Sequence, residues 1–343
     1  MAYFFNIFFK VFGFLSAILL FILVLIGISS YLNNNSGNEY FEFVKGNKNS
    51  KNKIIVYNLN GPILNNKIQI ANIANLQTIV PQDVKKYLKI IKEIEPQVLI
   101  ISINSPGGTV SASNELHRIF LSFKKNNNLK IYFHTNEVLA SGGYWASMAA
   151  EKIYASYGSL IGSIGVRGPD WFFYDQPTTI SSGFLGSSIE TKNGIKVFSQ
   201  NVGQSKDLLN PFREPTKKEL DHLKSIINII YTDFINLVAK NRSIESNFIK
   251  NQIGGVIYNS QQAKENFLID DVLSLDELIN QIIKENKYNE YKIMENIYDD
   301  HSLFEKLFIT LNSHNNDIDE KSIICSKLRT HVVSILSYQS AGC

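Results

Sequence analysis

Residues 98–108 read VLIISINSPGG, and residues 130–143 read KIYFHTNEVLASGG. Val98 to Ile103 is a run of apolar residues, the pattern of a strand covered on both faces. The turn NSPGG at 104–108 follows it, then a helical stretch from about Val110 to Lys125, then a second strand at Lys130 to His134. Upstream, Ile54 to Leu59 (IIVYNL) reads as a strand. Residues 82–95 have helical periodicity, and Pro81 suits the first turn of that helix. A β-α-β-α-β alternation of this kind implies a parallel sheet with helices on its faces.

The pattern continues downstream with less regularity. Residues 141–150 (SGGYWASMAA) read as a turn feeding a helix of small residues, Ile153 to Ala155 as a short strand, and 158–166 (GSLIGSIGV) as a glycine-rich loop. Residues 167–194 are irregular and rich in aromatics and glycine, with Trp171, Phe172, Phe173 and Tyr174 in a row. Ile195 to Ser199 suggests a further strand, 216–240 a long amphipathic helix and 274–285 another. From 286 onward the chain is rich in Asn, Asp and Lys and reads as a separate appendage. There is one copy of the α/β unit and no internal repeat.

At the other end, Val11 to Leu32 is uncharged and mostly apolar. It is long enough to cross a hydrocarbon core of roughly 30 Å as a helix. A cleaved signal peptide would need a shorter apolar stretch and a small-x-small cleavage site, and GISSYLNNN offers no convincing one. An uncleaved anchor over 1–32 is therefore expected, followed by a polar linker over 33–53, an α/β domain over 54–285 and a tail over 286–343. Lys45, Lys48, Lys51 and Lys53 follow the helix, and a simple count of positive charges would keep them in the cytoplasm. Large following domains often translocate regardless.

Composition narrows the function. A net charge of +3 over 343 residues, with the lysines dispersed, makes no case for nucleic acid as a partner. The two cysteines, Cys325 and Cys343, do not form a disulfide framework, and no Cys/His cluster suggests a metal. The expectation is therefore no metal and no organic cofactor.

Ser141 sits where a strand gives way to two glycines and a helix, which suits it to two roles. It can cap the helix, or it can present a nucleophilic hydroxyl beside backbone N–H groups. The second glycine pair, Gly107 and Gly108, also follows a buried strand and opens a helix. Neighbouring strands of a parallel sheet deliver their C-terminal ends to one edge, where ligands bind. An N–H from Gly107 or Gly108, with that of Gly142, would then form an oxyanion hole beside Ser141. The usual base for such a serine is histidine, yet no histidine lies between His134 and His222, and His134 is close to Ser141 in sequence. A desolvated lysine also serves. Lys206, in GQSKDLLNPFRE, is the candidate, although its flanking residues alone read as those of a surface lysine.

Four stretches in order, INSPGGTVSASNEL, ASGGYWASMAAEKIYASYGSLIGSIGV, GQSKDLLNPFREPTKKE and GGVIYNSQQAKENFLIDDVLSLDELI, resemble the signal peptide peptidase A (SppA) family over roughly residues 53–285. The resemblance implies a Clp-peptidase/crotonase-like α/β fold and a serine endopeptidase with a Ser–Lys dyad. Ser141 matches the nucleophile, Lys206 the base, Ser163 the serine that orients the lysine, and Gly107, Gly108 and Gly142 the oxyanion-hole region. It also implies a homo-oligomeric ring with sites shared between protomers, peptide substrates such as signal-peptide remnants, and a single-pass inner (plasma) membrane protein whose catalytic domain is extracytoplasmic. The stretch between GSIGV and GQSKD is longer than the family's pattern. Two other readings remain: a crotonase-like acyl-CoA enzyme, which would want acidic residues near the hole, and a non-enzymatic membrane scaffold. The same residues also have ordinary readings. Asp207 and Arg213 suit a loop ion pair, the aromatic run near Trp171 suits core or an oligomer contact, and His117 suits a plain helix position.

Overall fold

The computed structural model describes residues 2–35, 40–67, 69–70, 74–75, 77–171, 173, 179–181, 188–190, 202–211 and 213–297. The expected strand at Ile195 to Ser199, most of the tail, both cysteines, Phe172 and Tyr174 lie outside the described residues. The chain divides into two units, Met1–Glu42 and Phe43–Cys343.

The first unit contains one long helix, α1 (Ala2–Asn35), without an acidic residue in its first turn. Its most apolar window is Tyr3–Phe21, with a mean hydropathy of 2.1 and no burial. The aromatic rings at Phe4, Phe8 and Phe12 stack at one-turn spacing, with centroids 6.5 and 6.1 Å apart. By length and composition this helix is able to cross a membrane. The apolar window begins earlier than Val11 because the N-terminal phenylalanines extend it.

The boundary between the units falls within strand β1 (Phe41–Gly46), after which come β2 (Lys53–Asn60) and a small hairpin of β3 (Gln69–Ile70) and β4 (Ala74–Asn75). Helix α2 (Pro81–Ile94), β5 (Val98–Asn104), α3 (Val110–Asn127), β6 (Lys130–Thr135), β7 (Val138–Ala140) and α4 (Gly142–Ser147) follow. Next come β8 (Lys152–Ala155), β9 (Leu160–Gly162), and a short antiparallel pair of β10 (Thr179–Ser181) and β11 (Ser188–Glu190). Helix α5 (Lys217–Arg242), α6 (Ser246–Phe248), β12 (Ile257–Asn259), α7 (Ser260–Glu265), β13 (Asp271–Val272), α8 (Leu275–Glu285) and β14 (Lys292–Asn296) complete it.

Seven strands form one sheet in the order β1-β14-β2-β5-β6-β8-β13. From β14 across to β13 every pairing is parallel, with Ile54 opposite Val98 and Val98 opposite Lys130 in the centre. The run Val98–Ile103 is buried along its whole length because helices cover both faces. Ile54, Val56, Ile100, Tyr132 and Tyr154 pack with Leu278, Ile279 and Ile282 of α8 on one face. On the other, Phe120 of α3 meets Phe133 edge-on at 5.3 Å, and Tyr87 of α2 stacks on Tyr57 at 5.5 Å. Burial of this extent, at roughly 25 cal/mol per Å² of apolar surface, is the dominant stabilising contribution.

Two expected boundaries move. The segment expected as linker contains β1, because Phe41 and Phe43 alternate with Glu42 and Val44, and Phe41 is buried. The sheet also extends past residue 285, since β14 pairs in parallel with β2 from Lys292↔Lys53 to Glu295↔Val56. A parallel partner for a central strand has to come from a distant segment, and this one comes from the stretch read as tail.

Three short strands form a second sheet, β12-β9-β7, that carries the glycine-rich segments. Here the expected loop at 158–166 contains β9, which pairs parallel with β7 and antiparallel with β12. The strand that ends at Ser141 is β7 in this sheet, not β6 in the large one.

Candidate active site

Strand β5 ends at Asn104 and the turn Ser105–Gly108 leads directly into α3. Thr109 caps that helix, its hydroxyl accepting from the Ala112 N–H. The turn is held by the main chain. Ser105 N–H donates to the Val138 carbonyl (2.7 Å) and Ala140 N–H to the Ser105 carbonyl (3.1 Å). These two bonds carry the Ser-Pro-Gly-Gly turn to the end of β7. Gly107 has φ +108°, and a Cβ there would come within 2.7 Å of the Gly142 nitrogen and 2.8 Å of the Ser141 Cβ. A Cβ on Gly108 would fall onto the Ile63 carbonyl, and one on Gly142 onto the Ser113 hydroxyl. The glycines are therefore set by close approach, which only a missing side chain permits.

Ser141 stands at the meeting point. Its backbone is at φ +53° and ψ −118°, a strained conformation for a residue with a side chain. Its N–H donates to the Gly162 carbonyl (2.8 Å), and its own carbonyl accepts from Trp145 N–H (2.9 Å). The residue is fully buried, and its hydroxyl has no hydrogen-bond partner among the described residues. The capping role that its position suggests is not made by the side chain. Strain and an unpartnered buried hydroxyl together mark a functional position more readily than a structural one.

The Gly162 carbonyl that receives Ser141 N–H belongs to the residue before Ser163. Ser163 is also left-handed, at φ +52°, and buried, and its N–H donates to the Val256 carbonyl (2.8 Å). So Ser141, Ser163, Gly107, Gly108 and Gly142 gather in one place. Lys206 does not join them through any hydrogen bond or ion pair among the described residues. Its side chain is exposed, in a turn over residues 204–209. The histidines are used elsewhere. His134 Nε2 lies 3.0 Å from the Leu273 carbonyl and 3.4 Å from the Ser156 hydroxyl. His117 bonds the Ala146 backbone, and burial lowers the pKa of both rings below the ordinary 6.5.

Three features were missed at the sequence level. Ser113, buried with its hydroxyl against Gly142, is one. It sits one turn inside the helix that Gly108 opens, and that spacing was the available signal. The grip of Val256 on Ser163 joins segments too far apart in sequence to leave a local trace. A cleft of about 650 Å³ beside Pro106, lined by Asn60, Gln77, Asn104 and Glu137 and by Val138 and Leu160, lies at the C-terminal edge of the large sheet. No three His, Cys, Asp or Glu side chains gather as a metal site among the described residues.

Residues 123–289 match the model of Peptidase family S49. A putative signal peptide peptidase SppA of Enterococcus faecium is 29% identical over 71% of this chain and 67% of its own length. A putative protease of Methanocaldococcus jannaschii is 31% identical over 60% of this chain and 63% of its own length. Protease 4 of Haemophilus influenzae is 24% identical over 68% of this chain, which spans about a third (35%) of that protein. Among solved structures, a membrane-bound stomatin-specific protease in complex with a substrate peptide aligns with 77% of this chain and 99% of its own, at 15% identity and a TM-score of 0.43.

Proposed function

We propose, from the match of residues 123–289 to Peptidase family S49, that the chain is a membrane-anchored serine endopeptidase with Ser141 as nucleophile and Lys206 as general base. The observation that carries this reading is Ser141 itself: strained, buried, its hydroxyl unpartnered, with Gly107 and Gly142 packed against it. In the proposed reaction the uncharged Lys206 amine takes the proton from Ser141 Oγ, and the alkoxide attacks a peptide carbonyl. Backbone N–H groups of Gly142 and of Gly107 or Gly108 hold the oxyanion. The C–N bond then breaks, the lysine ammonium protonates the leaving amine, and water hydrolyses the acyl ester. Ser163, next to the residue that receives Ser141 N–H, orients the amine.

An exposed Lys206 supports delivery of the base from a neighbouring copy, so the working unit is a homo-oligomeric ring. Helix α1 holds the chain in the plasma membrane, with the peptidase domain, including β14, extracytoplasmic. Substrates are extended peptides near that membrane, such as signal-peptide remnants.

The test is cleavage of casein or a fluorogenic peptide by the full chain in detergent, without metal and across pH. The expected result is activity that rises as an amine loses its proton, and loss of activity in both Ser141→Ala and Lys206→Ala. Mixing those two inactive variants should restore part of the activity, because some sites in a mixed ring combine an intact serine with an intact lysine. Full activity in Lys206→Ala would remove the base assignment and make His134 the next residue to replace.

A further inference from the structure

The loop that carries Lys206 is strained on both sides of the lysine. Ser205 has φ +59° and Leu209 φ +68°, left-handed conformations that residues with side chains keep only where their surroundings impose them. What imposes them is a knot of side chains. Arg213 grips Asp207 through Nε–Oδ2 at 2.7 Å and Nη2–Oδ1 at 2.9 Å. It grips Glu219 through Nη1–Oε2 at 3.0 Å and Nη2–Oε1 at 2.7 Å, and its remaining Nη1 proton goes to the Glu214 carbonyl. Glu219 is only 4% exposed and closes the capping box of α5 with Thr216. Trp171 completes the knot from the other side. Its indole N–H donates to the carbonyls of Asn210 (3.1 Å) and Arg213 (3.2 Å), and the guanidinium lies 5.2 Å from its ring centre.

All five N–H donors of Arg213 are thus committed within the protein, which leaves none for a substrate. The residue adjoining Lys206 is tied to the first turn of α5, and the same arginine is tied to the aromatic segment that follows Ser163. We propose that Trp171, Asp207, Arg213 and Glu219 are positioning residues for Lys206, fixing its backbone so that an otherwise free four-carbon stem is presented in one direction. This inference rests on the reading of Lys206 as the base. The physical reason is that a lysine on a mobile loop loses most of its attempts at proton transfer to misorientation. A displacement of about 1 Å already costs on the order of a hundredfold. A planar, bidentate guanidinium suits this task and an ammonium does not.

The experiment compares the full chain in detergent with Arg213→Lys, which keeps the charge and loses the fork, and Trp171→Phe, which keeps the ring and loses the N–H. kcat, KM and the pH profile of kcat are measured on a fluorogenic peptide, and the assembled fraction by light scattering. Arg213→Lys should lower kcat by about tenfold or more with KM within about twofold, and should move the pH midpoint of kcat. Trp171→Phe should act in the same direction and less. A kcat within twofold of wild type in both variants overturns the inference. So does a loss that vanishes when activity is scaled to assembled protein and leaves the pH midpoint in place. If Lys206→Ala is inactive while both variants are unaffected, the base assignment stands and only the positioning role falls. If Lys206→Ala is fully active, the base assignment fails and takes this inference with it.

Discussion

Around Ser141 the geometry is made by main chain packed on main chain. The Ser105–Val138 and Ala140–Ser105 bonds, the Ser141–Gly162 bond and the glycine contacts leave no side-chain rotamer to choose. Around Lys206 it is made by side chains: one arginine, two carboxylates and an indole hold a turn with little regular structure. The first arrangement tolerates no added atom and is indifferent to charge. The second has room for atoms and depends on charge. Each half should therefore fail under a different insult.

The largest effect is expected from crowding the first half. Gly108→Ala places a methyl on the Ile63 backbone, which has no rotamer by which to withdraw, and should destabilise by about 2–3 kcal/mol. Gly142→Ala meets the Ser113 hydroxyl and lies 3.1 Å from the Gly108 nitrogen. On the proposed mechanism it should lower kcat by about 10²–10³, by displacing the N–H that would hold the oxyanion. Adding Ser113→Ala to it should return part of that loss, since the hydroxyl is the nearest obstacle. Gly255→Ala, with nothing within 4 Å, is the control and should change neither thermal stability nor kcat. Equal behaviour of Gly142→Ala and Gly255→Ala would break the comparison.

That contrast also explains what could be read in the sequence. The central strands were legible because VLIISI and KIYFH are strands that the sheet buries, and apolar runs of that length have few other uses. The two glycine turns were legible because each directly follows such a run or precedes a helix. Strand β14 was not, because its pairing with β2 is decided by a partner far away in sequence, and KIMEN looks like any mixed segment. Strand β1 was read as linker because its neighbours are Asn, Ser, Gly and Lys. The knot was half legible: an Asp207–Arg213 pair was the ordinary reading, but the indole at Trp171 comes from 42 residues before Arg213, too far for a local pattern to show it.

The second half should fail in acid. Hydrogen bonds from Arg213 hold the Asp207 carboxyl at about 2, well below its usual 3.8, and those from Arg213 and Thr216 hold the Glu219 carboxyl well below its ordinary range. Both folded-state values are depressed, so the knot's contribution is present in full above the unfolded values near 4 and is lost as pH falls through the folded ones. Trp171 fluorescence, read in a Trp145→Phe background, should therefore stay constant from neutral pH to about pH 4 and change below it. In Asp207→Asn the acid transition should start from an already altered signal. An Asp207→Asn spectrum identical to the parent's at neutral pH would mean that the carboxylate does not hold the loop.

The smallest effect tests whether the Ser141 half is truly indifferent to charge. The exception near it is His117, buried on α3 and bonded to the Ala146 backbone of the helix that Ser141 opens. Burial disfavours its charged form, so its folded pKa lies below 6.5. Below that pH the unfolded chain binds a proton that the folded chain resists, so stability falls as pH drops from 7 towards 5 and is restored as it rises. His117→Gln removes that titration while keeping a polar side chain of similar reach. Its melting temperature should be less sensitive to pH over that window than the wild type's, with His134, shifted in the same sense, responsible for part of the slope that remains. Peptide cleavage at pH 8, where both rings are neutral, should be unaltered. A His117→Gln protein with an unchanged melting slope would place all of the acid sensitivity in His134 and the carboxylates, and would leave the serine half with no charge dependence at all.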